Sequence, residues 1–267
     1  MFSSPSLIAS RLLFVGLLIE VVELWMLRRA FDDGGPFAPS TTAILTSGAP
    51  WHSTIGASLG GSGLIRAIAV CQAAAAIVVI ATGTATKVGI AAALVCLATA
   101  GFLHTRRQIG SSGAEQLTMI ALATFGLVLL AGGSAPARQI GDAFIAAQLV
   151  LAYFASGAAK AVSPTWRRGE AMRGILSTEG YGQPALAQIL VAHPSLDKAA
   201  CWSVVAWEVA FPVVLLAPKS VMIGMLAIGV GFHVGCAGLM GLNRFPWAFC
   251  GCYASVWVTA SEIRRVF

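Results

Sequence analysis

The sequence predicts an all-α integral membrane protein, a bundle of about eight transmembrane helices with one interfacial helix. Apolar residues make up 57% of the 267 residues, charged residues only 10%, and the mean hydropathy is +0.82. In a soluble domain roughly a quarter of all residues are charged. The alternating pattern of a membrane barrel does not occur in the sequence. We therefore predict a single transmembrane domain over residues 1–267, with helical spans because lipid offers no partner for open backbone groups.

Eight apolar segments approach the roughly 20 residues that a helix needs to cross the hydrocarbon core. They are residues 6–27, 64–83, 86–103, 115–133, 139–161, 200–217, 221–240 and 245–261. The first segment contains charged residues and is followed by no clear small-residue cleavage site, so we interpret it as a span and not as a signal peptide. The last segment is ambiguous at both ends.

Two connections are long, at residues 28–63 and 162–199. The second contains apolar residues between Gly174 and Pro194 that predict a short helix lying at the interface. These residues are Ile175, Leu176, Leu186, Ile189 and Leu190. Glycines at 180 and 182 and a proline at 184 are expected to interrupt that helix.

Charge and cysteine content narrow the expected partners. The net charge of +6 comes from 17 basic and 11 acidic residues, which on a membrane protein indicates contact with anionic lipid. The basic residues form no stripe interleaved with aromatic residues, so no nucleic-acid partner is expected. The chain has no HExxH or metal-type cysteine motif, and we expect no metal. Cys250 and Cys252 are close in sequence, but their apolar surroundings favour packing over a redox role.

Several ionisable residues fall inside the first and fourth spans. Glu20 and Glu23 share a face of the first span, and Arg11 lies on another, so we expect each to meet a neighbouring helix. There they either pin helices together or line a polar cavity. Glu115, followed by Gln116, begins the fourth span, where the helix dipole favours a carboxylate and capping alone explains it.

The most informative residue is Lys160, at the end of the fifth span. Tyr153, Gly157 and Lys160 share a face, and Gly157 allows another helix or a flat ligand to come close. A lysine at this depth snorkels, pairs with an acid or does chemistry. In a dry pocket its amine becomes a usable base, because burial disfavours the charged form. Glu208 and His233 lie mid-span in the next two helices, where a contact between them is plausible.

In this order, the polar and glycine-rich segments resemble the HTTM domain, the membrane part of vitamin K-dependent gamma-carboxylase and its bacterial relatives. The resemblance covers nearly the whole chain, and it is the ordered set that carries it. The matching residues are Arg11, Asp32-Asp33-Gly34-Gly35-Pro36, Gly113-Ala114-Glu115-Gln116, Gln148, Tyr153, Gly157, Lys160, Trp166, Gly169, Glu208, Phe232-His233 and the segment from Met240-Gly241 to Phe245-Pro246-Trp247.

The resemblance implies an enzyme that uses a reduced quinone, either menaquinone or a vitamin K-like quinone, to drive oxygenation and proton abstraction on a small or peptide substrate. It implies that Lys160 is the base and that Glu208 and His233 orient groups or relay protons. The cofactor-binding residues would be Tyr153, Gly157, Trp166, Gln148 and Glu115.

Two alternatives stay open. SdpB-like relatives imply a non-catalytic membrane partner in peptide maturation, acting with a peptide or with a co-encoded membrane or secreted protein. A looser similarity to DoxX-type proteins implies a quinone redox subunit. Each of these roles places the chain in the cell membrane as a multi-pass protein, in contact with the lipid bilayer.

Overall fold

The structure is a computed structural model that describes residues 5–32, 34–38, 40–41, 62–106 and 112–266, with the side chains of residues 5–10 left undescribed. The described residues form helices and turns and contain no strand. The chain divides into two compact units, Met1–Gly141 and Asp142–Phe267, which are treated separately below. The single domain over residues 1–267 stays a prediction. Asp33 and most of the predicted 28–63 connection lie outside the described residues.

The described part of the first unit contains four long helices. They are α1 (Pro5–Met26), α2 (Ser62–Thr82), α3 (Lys87–Arg106) and α4 (Gly113–Leu130), with a 3₁₀ turn at Arg28–Phe31 after α1. Small residues on α2 and α3 let these helices approach closely, and Phe14 and Leu17 of α1 pack against the same cluster. The amide of Gln72 on α2 donates a hydrogen bond to Glu20 at 3.0 Å, which confirms that Glu20 meets a neighbouring helix.

The second unit holds most of α5 and all later helices. The long helices are α5 (Ala135–Val162), α9 (Pro194–Ala210), α10 (Lys219–Met240) and α11 (Phe245–Val266), and a 3₁₀ turn at Phe211–Leu215 extends α9. The short helices are α6 (Pro164–Arg168), α7 (Ala171–Leu176) and α8 (Pro184–Ala192). A proline begins α6, α8 and α9, where its fixed φ favours a helix start and its missing N–H costs nothing.

Among the described residues, six helices are long and apolar enough to cross a membrane, which makes the chain a multi-pass membrane protein in a lipid environment. They are α2, α3, α4, α5, α9 with its 3₁₀ extension, and α10. The other two predicted spans also fall in helices, α1 and the less apolar α11, but the count of eight is not confirmed.

The connection after α5 is interrupted where the sequence predicts. Helix α7 ends at Leu176 and α8 begins at Pro184, so the glycines at 180 and 182 lie between two short helices. Leu176 packs with Ala187 and Leu190 of α8, whereas Ile189 stays exposed. The interfacial position predicted for this segment is not confirmed.

Helix α9 begins earlier than predicted, at Pro194 and not at residue 200. Its first turn contains Asp197, whereas the apolar run used for the prediction begins only at residue 200. A carboxylate near a helix N-terminus is stabilised by the backbone dipole, which explains why the helix extends through these residues.

Candidate functional site

The second unit contains an ion pair between two spanning helices. Lys160, in the last turn of α5, donates to both carboxylate oxygens of Glu208 on α9, at 2.7 and 2.9 Å. It also donates to the hydroxyl of Ser156, one turn earlier on α5. The Glu208 side chain is 4% exposed and the Lys160 side chain 20%. The sequence allows Lys160 to snorkel, to pair with an acid or to do chemistry, and the structure shows that it pairs with an acid.

Gly157 explains how α5 and α9 come close enough for this pair. A Cβ atom added at Gly157 would lie 2.8 Å from the Glu208 Cβ and 2.8 Å from the backbone nitrogen of Val209. Only glycine fits at such a separation. Of the two neighbours that the sequence allows at Gly157, a helix or a flat ligand, the structure places the helix there.

Trp166 lies beside the exposed side of the pair. After α5 ends at Val162, the chain turns at Ser163 into α6, which carries Trp166. The Lys160 ammonium nitrogen is 5.3 Å from the centre of the Trp166 indole ring, the geometry of a cation–π contact. The Trp166 side chain is partly exposed. The Lys160 amine is therefore bordered by the Glu208 carboxylate, the Ser156 hydroxyl and an aromatic face that is open on one side.

A chain of three polar side chains lies deeper in the same unit. The Tyr153 hydroxyl is 2.5 Å from Nε2 of His233 and 2.6 Å from the Tyr253 hydroxyl, so it joins α5 to α10 and α11. Tyr153 is 2% and His233 1% exposed. His233 therefore bonds to Tyr153, and not to Glu208 as the sequence suggests.

Aromatic rings enclose this chain. The Tyr153 ring lies 4.1 Å from Phe211 and 4.8 Å from Trp207, and His233 stacks on Phe249 at 4.0 Å, all between ring centres. Nδ1 of His233 and Nε1 of Trp207 are buried with no hydrogen-bond partner in the part of the chain that the structure describes. Such apolar surroundings strengthen the Tyr153–His233 hydrogen bond, because little water competes with it.

The two remaining predicted site residues are Gln148 and Glu115. Gln148 is five residues before Tyr153 and therefore roughly 140° around α5, where it is only partly buried. Glu115 belongs to the first unit, and its backbone amide is capped by the Ser112 hydroxyl at 3.3 Å. The N-cap of α4 is thus Ser112, whereas the capping role and the cofactor-binding role expected of the Glu115 carboxylate both stay predictions.

Sequence reasoning missed Ser156, Tyr253 and the aromatic rings around Tyr153. Ser156 lies one turn before Lys160, so the spacing that joined Gly157 to Lys160 also pointed to it. Tyr253 carries a hydroxyl within an apolar run, which is a signal because buried tyrosine hydroxyls seek a partner. Among the described residues, no group of three or more His, Cys, Asp or Glu side chains is placed to hold a metal ion.

Comparison of the chain with known protein families, curated proteins and solved structures finds no match. The HTTM resemblance therefore stays a prediction carried by the residues given above.

Proposed function

We propose that this protein is an enzyme of the cell membrane in which the Lys160–Glu208 pair takes a proton from a reduced quinone. In this proposal α1 and α11 join the six apolar helices to give eight spans, and α8 lies at the interface. The observation that carries the proposal is the pairing of Lys160 with Glu208 between two spanning helices, at 2.7 Å with Glu208 4% exposed.

Stability alone gives little reason to keep such a pair. Replacing a buried ion pair by apolar residues of similar size is often neutral or stabilising by about 1–4 kcal/mol. Ionisable residues inside a membrane are therefore a functional-site hypothesis by default. A base inside a membrane needs a partner for the charge that remains after proton transfer, and the pair holds such a partner in a fixed place.

The pair has capacity for one more proton. In its ionised form the Lys160 amine holds a proton and the Glu208 carboxylate does not. Transfer of that proton across the 2.7 Å contact leaves a neutral amine, the base predicted at position 160. A proton then taken up by the amine restores the Lys160 cation, which balances the anion formed on the substrate.

The residues around Lys160 fit a flat aromatic ligand on one side. The Gly157 side is filled by α9, whereas the Trp166 indole is partly exposed and borders the amine at 5.3 Å. When bound, a reduced quinone supplies an acidic hydroxyl and the reducing electrons for oxygenation, with proton abstraction from a small or peptide substrate as the outcome. Trp166 would hold the ring, and Lys160 would face the hydroxyl.

Tyr153 and His233 fit the role of a proton relay. The Tyr153 hydroxyl contacts Nε2 of His233 and the Tyr253 hydroxyl at the same time, so it is able to donate to one while it accepts from the other. In this proposal the relay joins the ion pair along α5, where Tyr153 and Lys160 lie about two turns apart on one face.

The test is quinol-dependent oxygen consumption by purified protein in lipid nanodiscs. Lys160→Arg keeps the cation and its partner, but guanidinium does not release a proton at ordinary pH. Loss of a general base costs about 100-fold or more in rate, so the variant should be nearly inactive at normal thermal stability. The matched control is Lys219→Arg, because Lys219 also borders a tryptophan, with its nitrogen 5.4 Å from the Trp257 ring. Full activity of Lys160→Arg would remove Lys160 from the mechanism.

A second candidate is the non-catalytic role, as a membrane partner in peptide maturation. The observation that favours it is that Glu208 and Ser156 occupy the Lys160 ammonium, as in a structural cross-link between α5 and α9. Absence of oxygen consumption by the wild type with menaquinol and ubiquinol analogues, together with co-purification of a co-encoded peptide, membrane protein or secreted protein, would favour this candidate.

A further inference from the structure

The helix that carries Trp166 is too short to be stable without contacts to the rest of the protein. Helix α6 has five residues, Pro164–Arg168, and its N-cap residue Ser163 makes no side-chain capping bond. Isolated helices shorter than about 12 residues are marginal in water. The place of Trp166 over Lys160 therefore depends on contacts that α6 and the following residues make elsewhere. Residues 164–173 are called the strap below.

The first such contact is at Gly169, directly after α6. Gly169 has φ +75°, the left-handed region that favours glycine. A Cβ atom placed there would collide with the backbone and side chain of Lys198 in the first turn of α9. The strap thus lies directly against α9 at this point.

The second contact is at Asp197, the residue before Lys198. Asp197 is fully buried, and its carboxylate accepts from the backbone N–H of Arg173 at 3.4 Å. The Arg173 guanidinium forms an ion pair with the other carboxylate oxygen at 3.6 Å. A buried carboxylate is costly unless it is paired, so the two contacts with Arg173 offset part of the desolvation cost of Asp197. Two neighbouring residues of α9 therefore hold the far half of the strap.

Glu170 connects this anchor to α6. Its carboxylate pairs with Arg173 at 3.1 Å and with Arg168, the last residue of α6, at 2.9 Å. The hydrogen bond from Arg168 lowers the pKa of Glu170 below its ordinary value, so the carboxylate is ionised at neutral pH. Contacts thus run without a gap from Asp197 through Arg173, Glu170 and Arg168 to the helix that carries Trp166.

We infer that Asp197 is a positioning residue, which anchors the strap so that the Trp166 ring covers the amine of Lys160. The inference rests on the proposed function for its catalytic meaning, because the cover sets how readily the Lys160 amine meets a ligand. The anchoring of the strap by Asp197 is tested by a measurement that does not depend on enzyme activity.

The experiment measures acylation of individual lysines by a membrane-permeant amine reagent, read by mass spectrometry on the full chain in nanodiscs. Trp166→Ala and Asp197→Asn should each raise the labelling rate of Lys160 by about two- to fivefold, the factor expected for loss of a partly exposed cation–π contact. The double variant should show no further rise, because both changes act through the same contact. Labelling of Lys219, which borders Trp257, should not change and serves as the internal control.

Variants are matched to separate anchoring from general loosening. Glu262→Gln breaks the exposed Arg265–Glu262 pair at 2.9 Å and should leave Lys160 labelling unchanged. If Asp197→Asn does not fold, Arg173→Gln removes the other half of the anchor and should give the same rise.

Two results would overturn the inference. The first is unchanged Lys160 labelling in the folded anchor variant while Trp166→Ala raises it, and the second is an equal rise at Lys160 and Lys219. Failure of the proposed function gives a different result, the absence of quinol-dependent oxygen consumption with the labelling pattern intact.

Discussion

Replacing Gly157 by alanine should separate α5 from α9 and weaken the Lys160–Glu208 pair. The added Cβ would lie 2.8 Å from two atoms of α9 and 3.0 Å from the Glu208 carbonyl carbon, whereas ordinary contact begins at 3.4 Å. The helices must therefore move apart by about 0.6 Å, the difference between 3.4 and 2.8 Å. Two of the three atoms are backbone atoms, so a change of side-chain rotamer does not relieve the contact.

The expected cost follows from two opposing effects. Overpacking a close contact costs about 1–3 kcal/mol, and alanine regains about 0.5–1 kcal/mol of helix propensity over glycine. We expect the free energy of unfolding to fall by about 1–2 kcal/mol after this offset. The same movement should reduce quinol-dependent oxygen consumption, because the ion pair is lengthened.

The assay is reversible unfolding in detergent micelles, with Gly231→Ala as the matched control. Gly231 lies within α10, and a Cβ added there meets no described atom within 4 Å beyond its own helix and chain neighbours. That substitution should be neutral or stabilising by up to about 1 kcal/mol. Equal stability of the Gly157→Ala and Gly231→Ala proteins would refute the close packing of α5 on α9.

Three further predictions concern the ion pair, the hydroxyl chain and the strap. Glu208→Gln should lower the free energy of unfolding by about 3 kcal/mol because it leaves the Lys160 cation without its counter-charge, and adding Lys160→Met should restore most of it; a double variant as unstable as the single one would contradict this. Tyr153→Phe should cost more stability than Tyr253→Phe, because the first removes the hydroxyl that two partners share and the second removes one contact, with about 1–3 kcal/mol for each buried group left unsatisfied; the reverse order in chemical unfolding would count against the chain. The pKa of Glu170 is lowered in the folded protein, so the stability that its pairing adds is fully present above the ordinary glutamate pKa of about 4.3 and is lost as the pH falls through the folded pKa. The difference in melting temperature between wild type and Glu170→Gln should therefore shrink in acid. A difference that stays constant with pH would contradict the pairing.

Much of the fold follows from composition, because a long apolar run in lipid has no alternative to a helix. The helices at Ser62–Thr82, Lys87–Arg106 and Lys219–Met240 match their predicted segments within a few residues. The start of α9 could not be predicted the same way. Its charged first turn is stabilised by contacts of Asp197 with Arg173, 24 residues earlier, and hydropathy carries no information on such a contact.

The candidate site was predictable as a set of residues and not as a set of contacts. Lys160, Glu208 and His233 stand out because ionisable groups are rare in apolar runs. Their partners depend on how helices pack, which single spans do not reveal. Lys160 meets Glu208 only because Gly157 admits α9, and His233 meets Tyr153, a residue that the resemblance assigns to cofactor binding.

The most direct test of the central claim is infrared difference spectroscopy on the protein in nanodiscs, before and after a reduced quinone analogue is added. If the Lys160–Glu208 pair takes up a proton, the wild type should show a change in the carbonyl stretch of a protonated carboxylic acid, and this change should be absent in Glu208→Gln. Lys160→Arg should also lack it, because the arginine holds Glu208 as a carboxylate. A difference spectrum with no carboxylic-acid change in the wild type, although the analogue is bound, would contradict the account.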